Sequence, residues 1–450
     1  MKKIFFGTDG IRGVVNKYPI CPEFFINLAY ALCSFNKEIK NNKVIIGKDT
    51  RDSCQMIELA LSSGFSSMGV NSFLIGIVPT PLVSFMTKSL KADFGIMISA
   101  SHNPFYDNGL KIFNRYGEKL SDSEELKIER IILKKNKSKL CMPDLIGKTF
   151  NNKYNFSTYI NKVNKIVPKG ISFKNIKIVF DCANGSGYKI GPEILSNYGV
   201  DIIKLSASPN GKNINKNCGA LYPDNLAKKV IKNNADMGIA IDGDGDRLII
   251  CDERGSILDG DKILAIVSSS LYKQGQLKGG GLVATKMSNL GLKYFVKNLG
   301  LKLYISNVGD RYVVEKMKKY KCNLGGEQSG HIIFSDFSLT GDAILSALQV
   351  LTVLKLENKS LSNLLENYQT FPQKLVNMRL YSDPDKLLKN IKLSKLVSSL
   401  SEDISNKGSI LVRKSGTENL LRIMAQSKSN AKTNDIISKI QECVVSIDKK

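Results

Sequence analysis

Short apolar runs alternate along the chain with stretches whose apolar residues recur at helical spacing, and turn residues separate the two. Lys43-Val44-Ile45-Ile46-Gly47 reads as a strand, and residues 55–66 carry helical periodicity. Ser72-Phe73-Leu74-Ile75 is the next strand, and Pro79-Thr80-Pro81 opens another helix, because proline suits a first helical turn. Asp93-Phe94-Gly95-Ile96-Met97-Ile98 is short, apolar and bounded by turn residues, as a buried strand should be. A lysine-rich, poorly patterned stretch at 133–139 marks the approach to a boundary. The alternation resumes with a helix, then the strands Lys177-Ile178-Val179-Phe180 and Met237-Gly238-Ile239-Ala240-Ile241. It continues, after Gly279-Gly280-Gly281, with Leu282-Val283-Ala284-Thr285. From Phe371-Pro372 the rhythm changes, with strands over 375–380 and 409–413 and a final amphipathic helix from Thr433. This alternation predicts parallel-sheet α/β domains over 1–150, 155–255 and 256–369, and an α+β domain over 371–450.

Length and composition fit that reading. A chain of 450 residues has room for several domains, and 42% apolar with 24% charged residues is ordinary for a soluble globular protein. Met1-Lys2-Lys3-Ile4-Phe5-Phe6 imitates the start of a signal peptide but stops at once in Gly7-Thr8-Asp9-Gly10. The most apolar helix-like run, 343–354, is too short to span a bilayer. A cytoplasmic protein with no membrane partner is expected. Nine cysteines are scattered singly without a C-x-x-C pair, which speaks for reduced thiols in cores rather than disulfides or structural zinc. The net charge of +24 is spread as lysines over the whole chain, with no basic block interleaved with aromatics. It therefore predicts no nucleic-acid partner, though a positive field favours the arrival of an anionic substrate.

Four polar stretches carry the candidate chemistry. Ser99-Ala100-Ser101-His102-Asn103-Pro104 follows a strand, and Lys111 lies close downstream. Ser101 beside His102 suits a nucleophile or phosphoryl carrier, or else a polar loop capping the next helix. Asp242-Gly243-Asp244-Gly245-Asp246-Arg247 lies between apolar strands. Glycines allow the tight turns that bring alternate carboxylates onto one hard cation such as Mg²⁺. A calcium hand is excluded, because Arg247 stands where that loop needs glycine and the flanks read as strands. Gly325-Gly326-Glu327-Gln328-Ser329-Gly330-His331 presents a carboxylate, an amide and a hydroxyl, a set suited to a polyol or an ammonium group, or a surface turn. Arg413-Lys414-Ser415-Gly416-Thr417-Glu418-Asn419, with Arg422 beyond it, makes a phosphate cradle or a plain hairpin turn. Gly185-Ser186-Gly187 hints at dinucleotide binding, but its spacing is wrong for that fingerprint.

Taken in order, these stretches resemble the phosphohexomutases of the α-D-phosphohexomutase superfamily, most closely the bacterial glucosamine-phosphate branch. Gly7-Thr8-Asp9-Gly10-Ile11-Arg12-Gly13 and Val308-Gly309-Asp310-Arg311-Tyr312-Val313 belong to the same likeness, which covers essentially the full chain. The resemblance implies four domains around a central cleft, three α/β with mixed sheets and one C-terminal α+β, each contributing one motif. It implies an isomerase that interconverts glucosamine 6-phosphate and glucosamine 1-phosphate through phosphoserine 101 and a 1,6-bisphosphate. Such an enzyme supplies UDP-N-acetylglucosamine and cell-envelope synthesis. It further implies one Mg²⁺ held by phosphoserine 101, Asp242, Asp244 and Asp246, with Arg12, His102, Lys111 and Arg247 at the reacting end. Glu327, Gln328, Ser329 and His331 would meet the sugar, and Arg413, Ser415, Gly416, Thr417 and Arg422 the other phosphate. Sugar choice rests mainly on Gln328, where the phosphomannomutase/phosphoglucomutase branch usually has Met. Lys414 and Asn419 replace prolines common in the phosphate loop, and Lys286 stands where a smaller or apolar residue is usual. Expected partners are a small amino-sugar phosphate, a sugar 1,6-bisphosphate activator, a kinase or autophosphorylation to load Ser101, and a second copy in a homodimer. The competing readings are the phosphomannomutase/phosphoglucomutase branch, a Mg²⁺-dependent phosphatase and a non-catalytic basic binding protein.

Overall fold

The computed structural model describes residues 3–35, 41–134, 140–151, 156–405, 407–414 and 420–448. The expected loop residues Ser415, Gly416, Thr417 and Asn419, and most of the lysine-rich stretch, lie outside the described residues.

Four sheets follow one another along the chain. The first orders its strands Ile11–Val14, Asp107–Asn114, Phe94–Ile98, Lys43–Lys48, Asn71–Ile77 and Thr149–Phe150. Pairings among the last four are parallel, while Asp107–Asn114 runs antiparallel to both its neighbours. The second orders Ile257–Leu258, Leu248–Asp252, Met237–Ile241, Lys177–Asp181 and Asp201–Leu205, with only the pairings of Leu248–Asp252 antiparallel. The third, Lys302–Ser306, Gly281–Thr285, Leu324–Gly326 and Ile332–Phe334, is parallel except for its last pairing. The fourth, Gln373–Arg379, Leu420–Gln426 and Ser409–Lys414, is wholly antiparallel.

The all-parallel expectation from strand–helix alternation is therefore corrected to mixed sheets, as the family likeness implied. The reason is loop length. A parallel return needs a crossover of a dozen or more residues, whereas the polar loops after Phe94–Ile98, Met237–Ile241 and Leu324–Gly326 are short. Each can only turn the chain back into an antiparallel neighbour. All three chemistry-bearing loops are thus hairpin connections at the end of a buried strand.

One apolar core runs continuously through the first three sheets, joining Ile45, Phe180, Leu282 and Leu348. The helix Ala343–Glu357 is apolar all round, and twelve of its fifteen residues are buried, as such a helix requires. The C-terminal sheet packs Leu421 and Ile423 on Ile436 and Ile440 in a separate core. All nine cysteines are free, and most are buried.

Candidate active site

The serine loop is held by its neighbours. Ser101 is fully buried and adopts the left-handed conformation at φ 53°, which a non-glycine residue keeps only where its surroundings enforce it. Arg51, paired with Asp49 (Nε–Oδ2 2.9 Å), supplies the enforcement. Its guanidinium donates to the carbonyls of Ser101 (3.0 Å), Asn103 (2.9 Å), Asp107 (3.0 Å) and Pro104. Asn215 donates to the same Ser101 and Asn103 carbonyls at 2.8 and 3.1 Å. The Ser101 amide donates to Ser99 Oγ (2.8 Å), and its hydroxyl donates to Asp242 Oδ2 at 2.6 Å. His102 Nδ1 lies 3.4 Å from that hydroxyl. Burial, and then Arg247 and Arg12, bring the His102 pKa down to about 3, so the imidazole is neutral near pH 7.

Asp242, Asp244 and Asp246 are all buried, and one oxygen from each lies within 4.8 Å of the others. Gly245 takes the positive φ (+69°) that the spacing implied, whereas Gly243 is required by close approach. A Cβ on Gly243 would sit 2.6 Å from Ser101 O, so glycine lets the two loops meet. Lys111 Nζ contacts Asp244 at 2.7 Å, Asp246, and Asp9 at 3.2 Å, and Thr80 Oγ1 donates to Asp244. Burial, with Asp244 and Asp246 beside it, pushes the Asp242 pKa well above the usual carboxylate range. Against the upward push of burial, Lys111 and His331 hold Asp246 well below that range. Asp244 Oδ1 and Asp246 Oδ1 are buried without hydrogen-bond partners among the described residues. A dense, all-oxygen set with unused acceptor atoms fits a hard divalent cation.

Around this pair sits a ring of charge. Against burial, Lys111, Lys119 and Arg12 hold Asp9 well below the usual range, and Asp9 pairs with all three. Lys119 also pairs with Asp310. His331 is buried, with Nδ1 3.6 Å from Asp246 and Nε2 accepting from Gly341 N at 2.9 Å. Nε2 also lies 3.3 Å from Asp310 Oδ2, and against burial Asp246 and Asp310 raise the His331 pKa. Arg247 stands near Asp246 (3.9 Å), and the fields of Asp246, Asp242 and Glu327 raise its pKa against burial.

In the sugar loop, Glu327 Oε1 accepts from Gly309 N (2.9 Å) and Oε2 from the Ser329 hydroxyl (3.3 Å). The loop's backbone is anchored from both sides, by Gly260 N to Gln328 O (2.9 Å) and by Leu248 N to Gly330 O (3.0 Å). On the C-terminal sheet Arg413 and Arg422 are cross-strand partners. Burial and the Arg422 charge lower the Arg413 pKa, and both Nε atoms lack partners among the described residues. Two arginines side by side in this state suit an anion.

Family models for phosphoglucomutase/phosphomannomutase match almost the whole chain. They are the alpha/beta/alpha domains I (residues 3–139), II (157–255) and III (259–371) and the C-terminal domain (375–442). The phosphoglucosamine mutase of Phenylobacterium zucineum is 44% identical over 441 residues, covering 98% of each chain. That of Rhizobium etli is 42% identical over the same length and share. The chain belongs to the phosphoglucosamine mutase family. Among solved structures, a phosphoglucomutase/phosphomannomutase family protein from Burkholderia thailandensis superposes with a TM-score of 0.80 at 20% identity, covering 98% and 97% of the two chains. The Aspergillus fumigatus N-acetylphosphoglucosamine mutase, solved in complex with GlcNAc-6P and magnesium, gives 0.67 at 20% identity over 100% and 96%. These share the fold.

In this phosphoglucosamine mutase family member the structure gathers Arg12, Ser101, His102, Lys111, the three aspartates, Arg247 and His331 around the serine. Glu327 and Ser329 face each other in the sugar loop. The Gln328 amide instead donates to Asp259 and Gln373. Sequence reasoning passed over Arg51, Thr80, Lys119 and Asn215. A signal for Arg51 existed in Asp49-Thr50-Arg51-Asp52, a charged cluster closing an apolar strand. No local pattern marks Asn215 or Thr80. Among the described residues no helix is long and apolar enough to cross a membrane.

Proposed function

We propose that this chain interconverts glucosamine 6-phosphate and glucosamine 1-phosphate by way of phosphoserine 101 and glucosamine 1,6-bisphosphate. The reading is carried by one juxtaposition: a strained, buried Ser101 whose hydroxyl points at Asp242, 2.6 Å away, in a cluster of three carboxylates. The names of the full-length relatives supply the sugar.

In the first half-reaction the sugar O1 hydroxyl attacks the phosphoryl group on Ser101. The P–Oγ bond breaks as the P–O1 bond forms, the sugar proton passes to a base, and Ser101 is left to receive the other phosphoryl group in the return step. His102, kept neutral and with Nδ1 3.4 Å from Ser101 Oγ, is the group placed to take that proton. Mg²⁺ held by Asp242, Asp244, Asp246 and phosphoserine 101 would neutralise charge on the transferring group. Arg12, Arg247 and Lys111 supply fixed positive charge at the reacting end, which needs no reorganisation during transfer. Glu327 and Ser329 hold sugar hydroxyls, while Arg413 and Arg422, with Ser415, Gly416 and Thr417, grip the second phosphate. The same reading carries a cytoplasmic enzyme acting as a homodimer, with Ser101 first loaded by a kinase or by autophosphorylation and kept loaded by the bisphosphate.

The test compares mutase rates on glucosamine 6-phosphate, glucose 6-phosphate and mannose 6-phosphate, with Mg²⁺ and a trace of the matching bisphosphate. Preference for the amino sugar is expected. Equal or better rates on the neutral sugars would move the enzyme to the phosphomannomutase/phosphoglucomutase branch. Release of inorganic phosphate without isomerisation would make it a phosphatase.

A further inference from the structure

The first three sheets share an apolar core, but polar side chains set the register of the C-terminal sheet on them. Gln373 and Gln426 are direct cross-strand partners at one end of that sheet, and both reach into the 287–290 turn. Gln426 accepts from Leu290 N (2.9 Å) and donates to Ser288 O (3.1 Å) and Ser409 Oγ (2.7 Å). Gln373 Nε2 donates to Met287 O (2.8 Å), and its Oε1 accepts from Asn289 Nδ2 (3.3 Å) and Gln328 Nε2 (2.7 Å). Asn289 exchanges two bonds with the Phe371 backbone (2.9 and 3.0 Å), and the Phe371 ring stacks on Tyr294 at 5.3 Å.

The Gln328 amide has two hydrogens. One goes to Gln373 and the other to Asp259 Oδ2 at 3.1 Å, on the residue that caps the helix Gly260–Lys273. Both donors are spent inside the protein, so the Gln328 amide nitrogen holds the loop and only Oε1 is left to meet a sugar. Arg422 lies on the same strand and the same face as Gln426, four residues along, a rigid span of about 13 Å.

We infer that Gln373 is a positioning residue: through the Gln328 amide it fixes the sugar loop, 327–330, relative to the strand that carries Arg422, and so sets the separation of sugar and phosphate subsites. The inference rests on the reading that Glu327 and Ser329 hold the sugar.

Two measurements test it, one of which does not depend on activity. Hydrogen exchange should show the 327–330 amides exchanging about tenfold faster in Gln373→Ala, the scale of one lost hydrogen bond. The 420–426 amides should keep their protection, which excludes general unfolding. Gln373→Glu, which keeps an acceptor for Gln328 while losing the donor to Met287, should retain the loop's protection. In the mutase assay Gln328→Ala and Gln373→Ala should each raise KM about tenfold with a smaller effect on kcat, and the double variant should be no worse than either. Unchanged loop exchange in Gln373→Ala, or single effects that multiply in the double variant, would overturn the inference. An enzyme inactive on every sugar phosphate would refute the proposed function and leave the exchange result to judge Gln373 alone.

Discussion

Replacing Asp261 by Asn should change stability in a pH-dependent way whose size follows from the burial of the carboxyl. Asp261 is wholly buried in the first turn of the helix Gly260–Lys273. Its Oδ2 accepts from Asn289 N at 2.6 Å, and Oδ1 has no hydrogen-bond partner among the described residues. Asp259 and Tyr368 are the titratable groups near it. Burial, and then the Asp259 carboxylate, push the Asp261 pKa up to about 7, against about 3.9 for an unfolded chain. The native state therefore keeps a proton that the unfolded state has released. Stability falls as pH rises between roughly 4 and 7 and levels off above that. At 1.36 kcal/mol per unit the full cost is about 4 kcal/mol, of which roughly 2–3 kcal/mol develops between pH 5 and pH 8. Asn keeps an acceptor for the Asn289 amide and carries no charge. The variant should therefore melt about 5–10 °C higher than the parent at pH 8 in the transition that includes this region, with a much smaller gain at pH 5. Calorimetric scans at pH 5, 6, 7 and 8 read this directly. A variant less stable than the parent by the same margin at every pH would show that the side chain is needed for its shape alone.

Four further outcomes are expected. Ser101→Ala should remove nearly all mutase turnover, by about a thousandfold or more, without changing the exchange protection of the first sheet, because it deletes the phosphoryl acceptor and one hydrogen bond; near-parental turnover would remove the phosphoserine from the scheme. Asp244→Asn should shift the Mg²⁺ titration of activity at least about tenfold to higher concentration, since it takes one charge from the oxygen set, and an unshifted titration would count against the aspartate loop as the cation site. Gly330→Ala should destabilise the sugar loop by about 2 kcal/mol or more, read as lost exchange protection at 327–330, because its Cβ would sit 2.1 Å from Leu248 O at a φ of +91°. Arg422→Ala should raise KM for the phosphosugar by about tenfold or more with a smaller effect on kcat; a pure kcat loss would place Arg422 at the transferring end instead.

Many elements with a buried face came through in the sequence, but the buried strand Asp107–Asn114 did not, because its first residues read as part of the polar serine loop. Met237–Ile241 and Leu248-Ile249-Ile250, apolar and buried on both sides, stand out as strands because their surroundings demand uninterrupted apolar side chains. The polar loops between such strands stood out for the converse reason, since buried polar groups are costly unless they serve a purpose. Sheet direction was misjudged from the alternation alone, though the short loops already required antiparallel returns.

What local pattern cannot carry is the choice of partner. Alternation along a strand says which side chains turn inward, and it is silent on which distant element they meet. Ser101 and Asp242 are 141 residues apart, and Lys111 and Asp246 are 135 apart. Gly243 looked like a turn residue and is instead a point of contact with Ser101 O. Gln328 stood among sugar-facing residues, yet its amide turns to Asp259 and Gln373, because two well-placed acceptors inside the protein hold both of its donors. The residues of the chemistry were written in short stretches, and their meeting around Ser101 came from packing sheets whose contacts span a hundred residues or more.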